Sequence, residues 1–415
     1  TFGAKIGALS EEKPQRARQL LTAGFRANGV KNKLASKRSS KSDRMLFQLV
    51  NRAMVTCLAK PQSNVMVSLF TPCEMLHLQG LHPYSCEGFS SYLSGAMAEQ
   101  PFLHQAEDTG IPNSLCSYHK VFIGAAQMGL MPKPRFILST SLACDANTLT
   151  FRHLAQFYDV PHFNVDIPFE SSPQAVDYVA GQLRQMGEFL TQQTGLPLDD
   201  GQLARTVARS QRTMALYHRG LRLRAGRQVL SDLTSELLRT AAFHFLLGTP
   251  ETEAYARQLL REITTAPPAQ GKQLLWIHTT PYWVAPLRHL FAQSTRVQVA
   301  ACDMSYEGIV EADPTKPYEA MARRLVYSPF NGPAQRRIDR ALEMAKTVGA
   351  DGAVWFCHWG CKHTLGGARL GKKALEEAGL PTLLLDGDSC DRGFGGEGQA
   401  ATRMEAFLEV LEGMA

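Results

Sequence analysis

Cysteine is the residue type in this chain with the most chemistry to offer. Three of the nine cysteines stand where a β-rich run reads as giving way to helical sequence: Cys116 in NSLCSY, Cys144 in STSLACD and Cys361 in FCHWGCK. The first two are 28 residues apart and the third follows 217 residues later. A thiol at a strand end faces the crevice in which open α/β sheets bind ligands. The amides of a helix N-terminus favour the thiolate, the form that ligates metals or attacks electrophiles. Iron–sulfur clusters are held by such thiolates. Three rather than four would leave one iron open to a substrate.

Each of the three also has an ordinary explanation. Cys361 follows the apolar run GAVWF and precedes LGGARLGKKALEEAG, so a buried thiol in a tight turn accounts for it equally well. Gly366 and Gly367 would admit a cofactor or a neighbouring backbone there. Cys116 and Cys144, taken singly, read more readily as core thiols. All three together, in both halves of the chain, shift the balance toward ligation. Cys57, inside LFQLVNRAMVTCLA, reads as core. The stretch CHWGCKH also offers Cys357, His358, Cys361 and His363 to zinc, but a C-x3-C pair without a second pair is a weak zinc pattern.

The elements that must position these residues form a repeating pattern. At 415 residues the chain exceeds what one core usually organises, so two or three domains are expected. Residues 1–64 read as a basic arm with helices. Residues 65–170 read as a first α/β lobe, with strands in NVMVSLF, PRFILST and HFNVDIP. Over residues 171–266 the pattern turns helical, with Val176, Val179, Ala180, Leu183, Met186 and Leu190 on one stripe. Asp200 is placed to cap the next helix, and TTAPPAQGK reads as a linker. Residues 267–415 read as a second α/β lobe, with strands in QLLWIH, VQVAA, GAVWF and TLLLD. Strands alternating with helices predict mainly parallel sheets. The fold class is therefore α/β, two lobes whose strand-end loops could face one another across a cleft, plus a helical segment. The halves share this architecture without a convincing sequence repeat.

Composition narrows the setting. With 44% hydrophobic and 20% charged residues the chain resembles an ordinary globular protein. No apolar run approaches the length of a membrane span, and no signal-peptide pattern opens the sequence, so a cytoplasmic location is expected. An odd number of cysteines in a chain too large to need staples points to reduced thiols. The net charge of +6 is uneven: residues 1–44 hold eleven Lys/Arg against three Asp/Glu. The run KNKLASKRSSKSDR lacks interleaved aromatics, which favours a solvated arm or subunit contact over nucleic-acid binding and leaves a CoA phosphate open. No GxGxxG after a strand, GxxxxGK[ST] or GxSxG is present. DRGFGGEGQ carries Asp391 and Glu397, which disfavour a phosphate cradle and suggest a flexible loop or partner contact. Any ATP-driven step would fall to another protein.

From about residue 65 to the C-terminus, several segments resemble the 2-hydroxyacyl-CoA dehydratase / benzoyl-CoA reductase family, in particular its 2-hydroxyglutaryl-CoA dehydratase D-components. TPCEMLHLQG is similar to the family's T-P-x-E signature, with Glu74 at the acidic position. NSLCSYHK resembles its C-S-Y segment and SLACD its C-D segment. The block from HWGCK through LLLDGDSCDR to GQAATRMEAFLEVL resembles its C-terminal block. The resemblance implies two homologous subunits in a heterodimer, each with two α/β lobes around a cluster-containing cleft. It assigns Cys116, Cys144 and Cys361 as ligands of a [4Fe-4S] cluster. A separate ATP-dependent iron–sulfur activator would donate one electron, and the acyl-CoA thioester would become a ketyl radical. That step lets the β-proton and the 2-hydroxyl leave, converting an (R)-2-hydroxyacyl-CoA into a 2-enoyl-CoA in an anaerobic lyase reaction. Glu74, His119 and His278 are the conceivable proton-handling groups. Some relatives hold a double-cubane cluster with additional cysteines. Here Cys86, Cys302, Cys357 and Cys390 are spare, but Thr279 and Thr280 stand where such relatives have cysteine. A single cubane is therefore expected, with Cys86 the best-placed extra ligand. Two rivals remain: a benzoyl-CoA reductase-type subunit, and a noncatalytic electron-relay or scaffold subunit.

Overall fold

The computed structural model describes residues 2–34, 40–229, 231–306, 310–394 and 397–414. Three helices open the chain, α1 (Phe2–Glu12), α2 (Pro14–Leu34) and α3 (Lys41–Ala59). Part of the basic run, residues 35–39, lies outside the described residues. The first α/β lobe runs β1 (Asn64–Val67), α4 (Glu74–Leu78), β2 (His82–Ser85), α5 (Cys86–Gly95), α6 (Gln100–Asp108), α7 (Ser117–Gln127), β3 (Phe136–Thr140), α8 (Asp145–Tyr158) and β4 (His162–Val165). Four helices follow, α9 (Pro173–Thr194), α10 (Asp200–Leu223), α11 (Leu233–Phe245) and α12 (Pro250–Thr265). The second lobe runs β5 (Lys272–Ile277), α13 (Ala285–Phe291), β6 (Val297–Cys302), α14 (Pro317–Val326), α15 (Ala334–Val348), β7 (Gly352–His358), α16 (Lys362–Glu377), β8 (Thr382–Gly387) and α17 (Glu397–Gly413).

Each lobe carries a four-stranded sheet in which every pairing is parallel, ordered β2-β1-β3-β4 in the first and β6-β5-β7-β8 in the second. Parallel sheets are covered on both faces, so their strands read as continuous apolar runs. Accordingly Leu274, Leu275, Trp276 and Ile277 of β5 are all buried. Burying one Leu or Ile is worth about 1.5–3 kcal/mol. In both sheets the chain reverses its direction of strand addition beside the first strand of the lobe. That switch point lies between β1 and β3 and again between β5 and β7. Loops at the carboxyl ends of strands flanking a switch point form the usual ligand crevice of such sheets.

Most predicted elements match, and the departures have physical causes. β2 escapes a pattern search because HPYS contains Pro83, and proline belongs at sheet edges; β2 is indeed an edge strand. The cap of α10 is Asp199, whose side chain accepts the Gln202 amide, rather than the neighbouring Asp200. No strand precedes Cys116: the chain reaches it from α6 through a loop. The glycine-rich loop after β8 is tied down at its start, where Arg392 bonds Glu99 at 2.8 Å and Gln100 bonds Asp391 at 2.7 Å. Its residues 395–396 lie outside the described residues.

One hydrophobic core is continuous from the first sheet through α9–α12 into the second sheet. The helices of the N-terminal region and α5–α8 enclose a second cluster on the other side of the first sheet. Within the second lobe α16 crosses β7 closely. A Cβ at Gly371 would fall within 1.9 Å of the Trp355 ring, so this helical glycine trades about 1 kcal/mol of helix propensity for the approach.

Candidate functional site

The carboxyl ends of the strands open into a cavity of about 580 Å³, lined from both lobes. Leu69 and Phe70 follow β1, Glu87 follows β2, Cys144 follows β3, His278 and Thr279 follow β5, and Cys361 follows β7. Cys116 joins them from the start of α7. Cys116, Cys144 and Cys361 occupy the same local position, the N-cap of α7, α8 and α16 respectively. None of the three sulfurs closes a cap in full hydrogen-bond geometry. The usual reason for a special residue at an N-cap, an oxygen that accepts from the first turn, does not explain them.

The chain bends sharply to deliver two of these sulfurs. Ala143 at φ 66° precedes Cys144 and Gly360 at φ 79° precedes Cys361. A left-handed alanine is strained, and such strain concentrates at functional positions. Gly360 is there for a further reason: a Cβ would come within 2.6 Å of the Cys116 amide nitrogen. Its bare backbone lets the Cys361 loop of the second lobe lie directly on the Cys116 loop of the first. Gly366 and Gly367, the glycines expected to allow a close approach, do not: a Cβ at Gly366 would meet nothing, and one at Gly367 only ordinary contacts.

The thiols sense one another. Burial raises the Cys116 thiol well above its usual value, and the nearby Cys361 and Cys144 raise it further. Burial, then Cys361, pushes Cys144 up to about 12, while the first-turn amides of Asn147 and Ala146 act in the opposite direction. Without a cation the Cys116 and Cys144 sulfurs therefore stay protonated, whereas a bound cation would reverse that preference. Among the described residues, no three His, Cys, Asp or Glu side chains stand close enough to hold a single metal ion. The zinc reading of CHWGCKH meets a second obstacle, because Cys357 is absent from the cavity wall and its sulfur turns to the Trp355 carbonyl. Thiolates that bind different irons of one cluster need more separation than donors to one ion. Three cysteines lining one cavity supply the residue type that such clusters use.

Four histidines line the same space. The His119 Nε2 lies 3.9 Å from the Cys144 sulfur, and burial, then His358, lowers this imidazole to about 4. His278 is 8% exposed, yet among the described residues neither of its ring nitrogens has a hydrogen-bond partner. Its backbone has φ 83° and its amide donates to the Asp303 carboxylate at 2.7 Å. Burial, reinforced by Arg337, lowers it well below the usual histidine value. His363 also falls to about 4 through burial and Arg337. His358, buried at the end of β7, contacts the Cys116 sulfur through Nε2 at 3.2 Å.

Of the other sequence candidates, Glu74 lies outside the cavity wall. It makes a two-pronged ion pair with Arg324, at 2.6 and 3.0 Å, and accepts from Ser210. Cys86 is buried and likewise absent from the wall. Thr279 reaches the wall, whereas Thr280 turns away to the Leu233 carbonyl. Cys57 is core, as expected, and also borders the cavity floor. Sequence reading passed over Glu87, which follows the unrecognised strand β2. Burial raises its carboxyl to about 7 despite hydrogen bonds from Ser85 and the Leu69 amide. The floor is apolar, built by Val50 and Met54 of α3 and by Leu238, Ala241, Phe245 and Leu246 around α11.

Residues 68–411 match the 2-hydroxyglutaryl-CoA dehydratase, D-component family. The chain belongs to that family. The (R)-phenyllactyl-CoA dehydratase alpha subunit of Clostridium sporogenes is 22% identical over 337 residues, covering 75% of this chain and 80% of that protein. Together they indicate a component of a 2-hydroxyacyl-CoA dehydratase, a lyase-type activity. The stretch that matches the D-component family contains all three N-cap cysteines, Glu87 and the four cavity histidines. Among the described residues, α1, α2, α3, a 3-10 turn at Pro61–Ser63 and the first strand fall before it. Among the described residues no helix is long and apolar enough to cross a membrane.

Proposed function

We propose that this chain is the iron–sulfur subunit of a radical (R)-2-hydroxyacyl-CoA dehydratase, removing water to give a 2-enoyl-CoA. The observation that carries the reading is the convergence of three N-cap cysteines from two lobes on one cavity. Cys116, Cys144 and Cys361 would hold a single [4Fe-4S] cluster. That group supplies low-potential one-electron chemistry to a bound thioester, making an otherwise unreactive β-proton removable.

The chain's own residues supply the remainder. The apolar floor binds the acyl group, and among the described residues lining the cavity the one lysine, Lys362, stands in the first turn of α16 beside Cys361 rather than on the floor built by α3 and α11. This favours an aromatic or branched aliphatic 2-hydroxyacyl chain. Glu87, with its carboxyl raised to about 7, is suited to hold or deliver a proton near neutral pH. His278 can donate one N–H to a ligand oxygen and accept a ligand O–H at its other nitrogen, since no group among the described residues bonds either nitrogen. A homologous partner subunit and an ATP-dependent activator complete the reading. It is consistent with the multi-subunit dehydratase to which the Clostridium sporogenes alpha subunit belongs.

The test is anaerobic purification of the full chain with its copurifying partner, followed by iron and sulfide analysis. Turnover of an aromatic (R)-2-hydroxyacyl-CoA is then assayed with ATP and an activator. Formation of the 2-enoyl-CoA supports the proposal. Ring reduction of benzoyl-CoA in place of dehydration would assign a reductase. A loaded cluster with neither activity would assign an electron-relay subunit.

A further inference from the structure

The Cys116 sulfur and the His358 ring meet across the two lobes, and the protonation of that ring can be read from its other nitrogen. Nδ1 of His358 receives the backbone N–H of Ser389 at 3.1 Å. A nitrogen that accepts an N–H carries no proton of its own. A neutral imidazole has one N–H, which must then be on Nε2, 3.2 Å from the Cys116 sulfur. Asp388 lies 3.7 Å from Nδ1 but does not compete for it. Its Oδ1 already accepts from Ser117 at 2.6 Å and from the amides of Cys390 and Asp391, each at 2.7 Å. Those bonds shape the turn that aims the Ser389 amide at His358. The Ser389 hydroxyl is fixed in addition by Thr279 at 2.7 Å. His358 is 1% exposed, and Tyr118 packs edge-on against its ring at 5.3 Å.

We propose that His358 is a positioning residue that donates its Nε2–H to the Cys116 sulfur and thereby raises the reduction potential of the cluster this cysteine holds. This rests on the cluster assignment under Proposed function. Hydrogen bonds to ligand sulfurs are among the determinants of iron–sulfur potentials. The added electron increases the negative charge on the sulfurs, so a donor stabilises the reduced state more than the oxidised one. No proton moves: the hydrogen stays on nitrogen and the electron, from a low-potential chemical reductant, enters the cluster. Because the donor comes from the second lobe and the sulfur from the first, the potential also depends on how the lobes meet.

The experiment is a dye-mediated redox titration of the anaerobically purified complex, monitored by electron paramagnetic resonance. It compares wild type with His358→Phe and His358→Gln, and iron and sulfide are measured in parallel. The Phe variant keeps the ring and loses the donor; the Gln variant keeps an amide N–H. At the wild-type midpoint, the reduced-to-oxidised ratio in the Phe variant should fall about tenfold. That corresponds to a midpoint about 59 mV more negative for one electron. The Gln variant should recover most of the difference. A Phe variant that retains its iron and titrates like wild type overturns the proposal and leaves the cluster assignment standing. Loss of iron from both variants also overturns it, because a donor to the sulfur tunes a cluster and does not hold one. An iron-free wild type overturns both readings.

Discussion

Glu87→Gln should stabilise the metal-free chain at alkaline pH and leave it unchanged at acidic pH. The Glu87 carboxyl sits in the cavity wall with its acidity moved by burial from 4.5 to about 7. Between those pH values the folded chain holds a proton that the unfolded chain releases. Stability must fall as pH rises wherever the folded state binds more protons. The contribution is fully present below pH 4.5 and lost as pH rises through 7. At about 1.4 kcal/mol per pH unit, the buried carboxylate costs the fold roughly 3 kcal/mol above that window. Glutamine carries no such charge and can reproduce the contacts. Its carbonyl can accept the Leu69 amide, and its NH2 can donate to Ser85 Oγ, which retains a free lone pair beside the one that receives the Gly88 amide. The variant should therefore lie within about 1 kcal/mol of wild type at pH 5 and gain about 3 kcal/mol at pH 8. Anaerobic urea titrations of both proteins at the two pH values measure this difference, and His119, His278 and His363 cancel because both proteins contain them. Equal destabilisation at pH 5 and pH 8 would refute the reasoning, since it would mean that glutamine disturbs packing and that Glu87 carries no buried charge. A chain that keeps a destabilising carboxyl in its cavity gains something else from it, and a proton available near neutral pH is the chemical candidate.

Single Cys116→Ser, Cys144→Ser and Cys361→Ser variants should each lose most of the iron and sulfide found after anaerobic reconstitution. Cys86→Ser and Cys357→Ser, whose sulfurs miss the cavity, should retain it; colorimetric iron analysis decides. Gly360→Ala should cost about 1–3 kcal/mol and impair iron loading, because it places a Cβ against Cys116 at a left-handed position. Gly366→Ala, where a Cβ meets nothing, should gain about 0.5–1 kcal/mol of helix propensity and load normally. Glu74→Leu should lower stability by about 3–5 kcal/mol by removing a fully buried carboxylate that pairs with Arg324 and accepts from Ser210. Its cluster signal per folded chain should be unchanged, which thermal melting and electron paramagnetic resonance would separate.

The strands of the second lobe were legible because parallel, doubly covered strands are apolar runs, and helix α9 because its stripe keeps one period from Val176 to Leu190. What stayed hidden depends on contacts distant in sequence. Glu87 looks like any surface glutamate until β2 is seen pairing with β1, and β2 is concealed by its own proline. His358 reads as a zinc donor until the Ser389 amide, 31 residues on, is found against its Nδ1. The placement of Cys116 at a strand end failed because helix α6, rather than a strand, leads into its loop.

A relation between the halves was also invisible in the sequence, because it is carried by register rather than residue type. Val67 of β1 pairs with Leu138 of β3, and Ile277 of β5 pairs with Trp355 of β7. Cys144 lies six positions beyond Leu138 and Cys361 six beyond Trp355, each preceded by a left-handed residue and each capping the next helix. The two sheets thus deliver equivalent thiols from equivalent switch-point loops, although SLAC and HWGC share only the cysteine. Cys116 has no such counterpart. It comes from a helix start in the first lobe and is held against the second by Gly360 and His358. Two symmetric thiols and one asymmetric one thus line a single cavity together with Glu87, His278 and the apolar floor, so the groups suited to a substrate share the space that the three thiols enter.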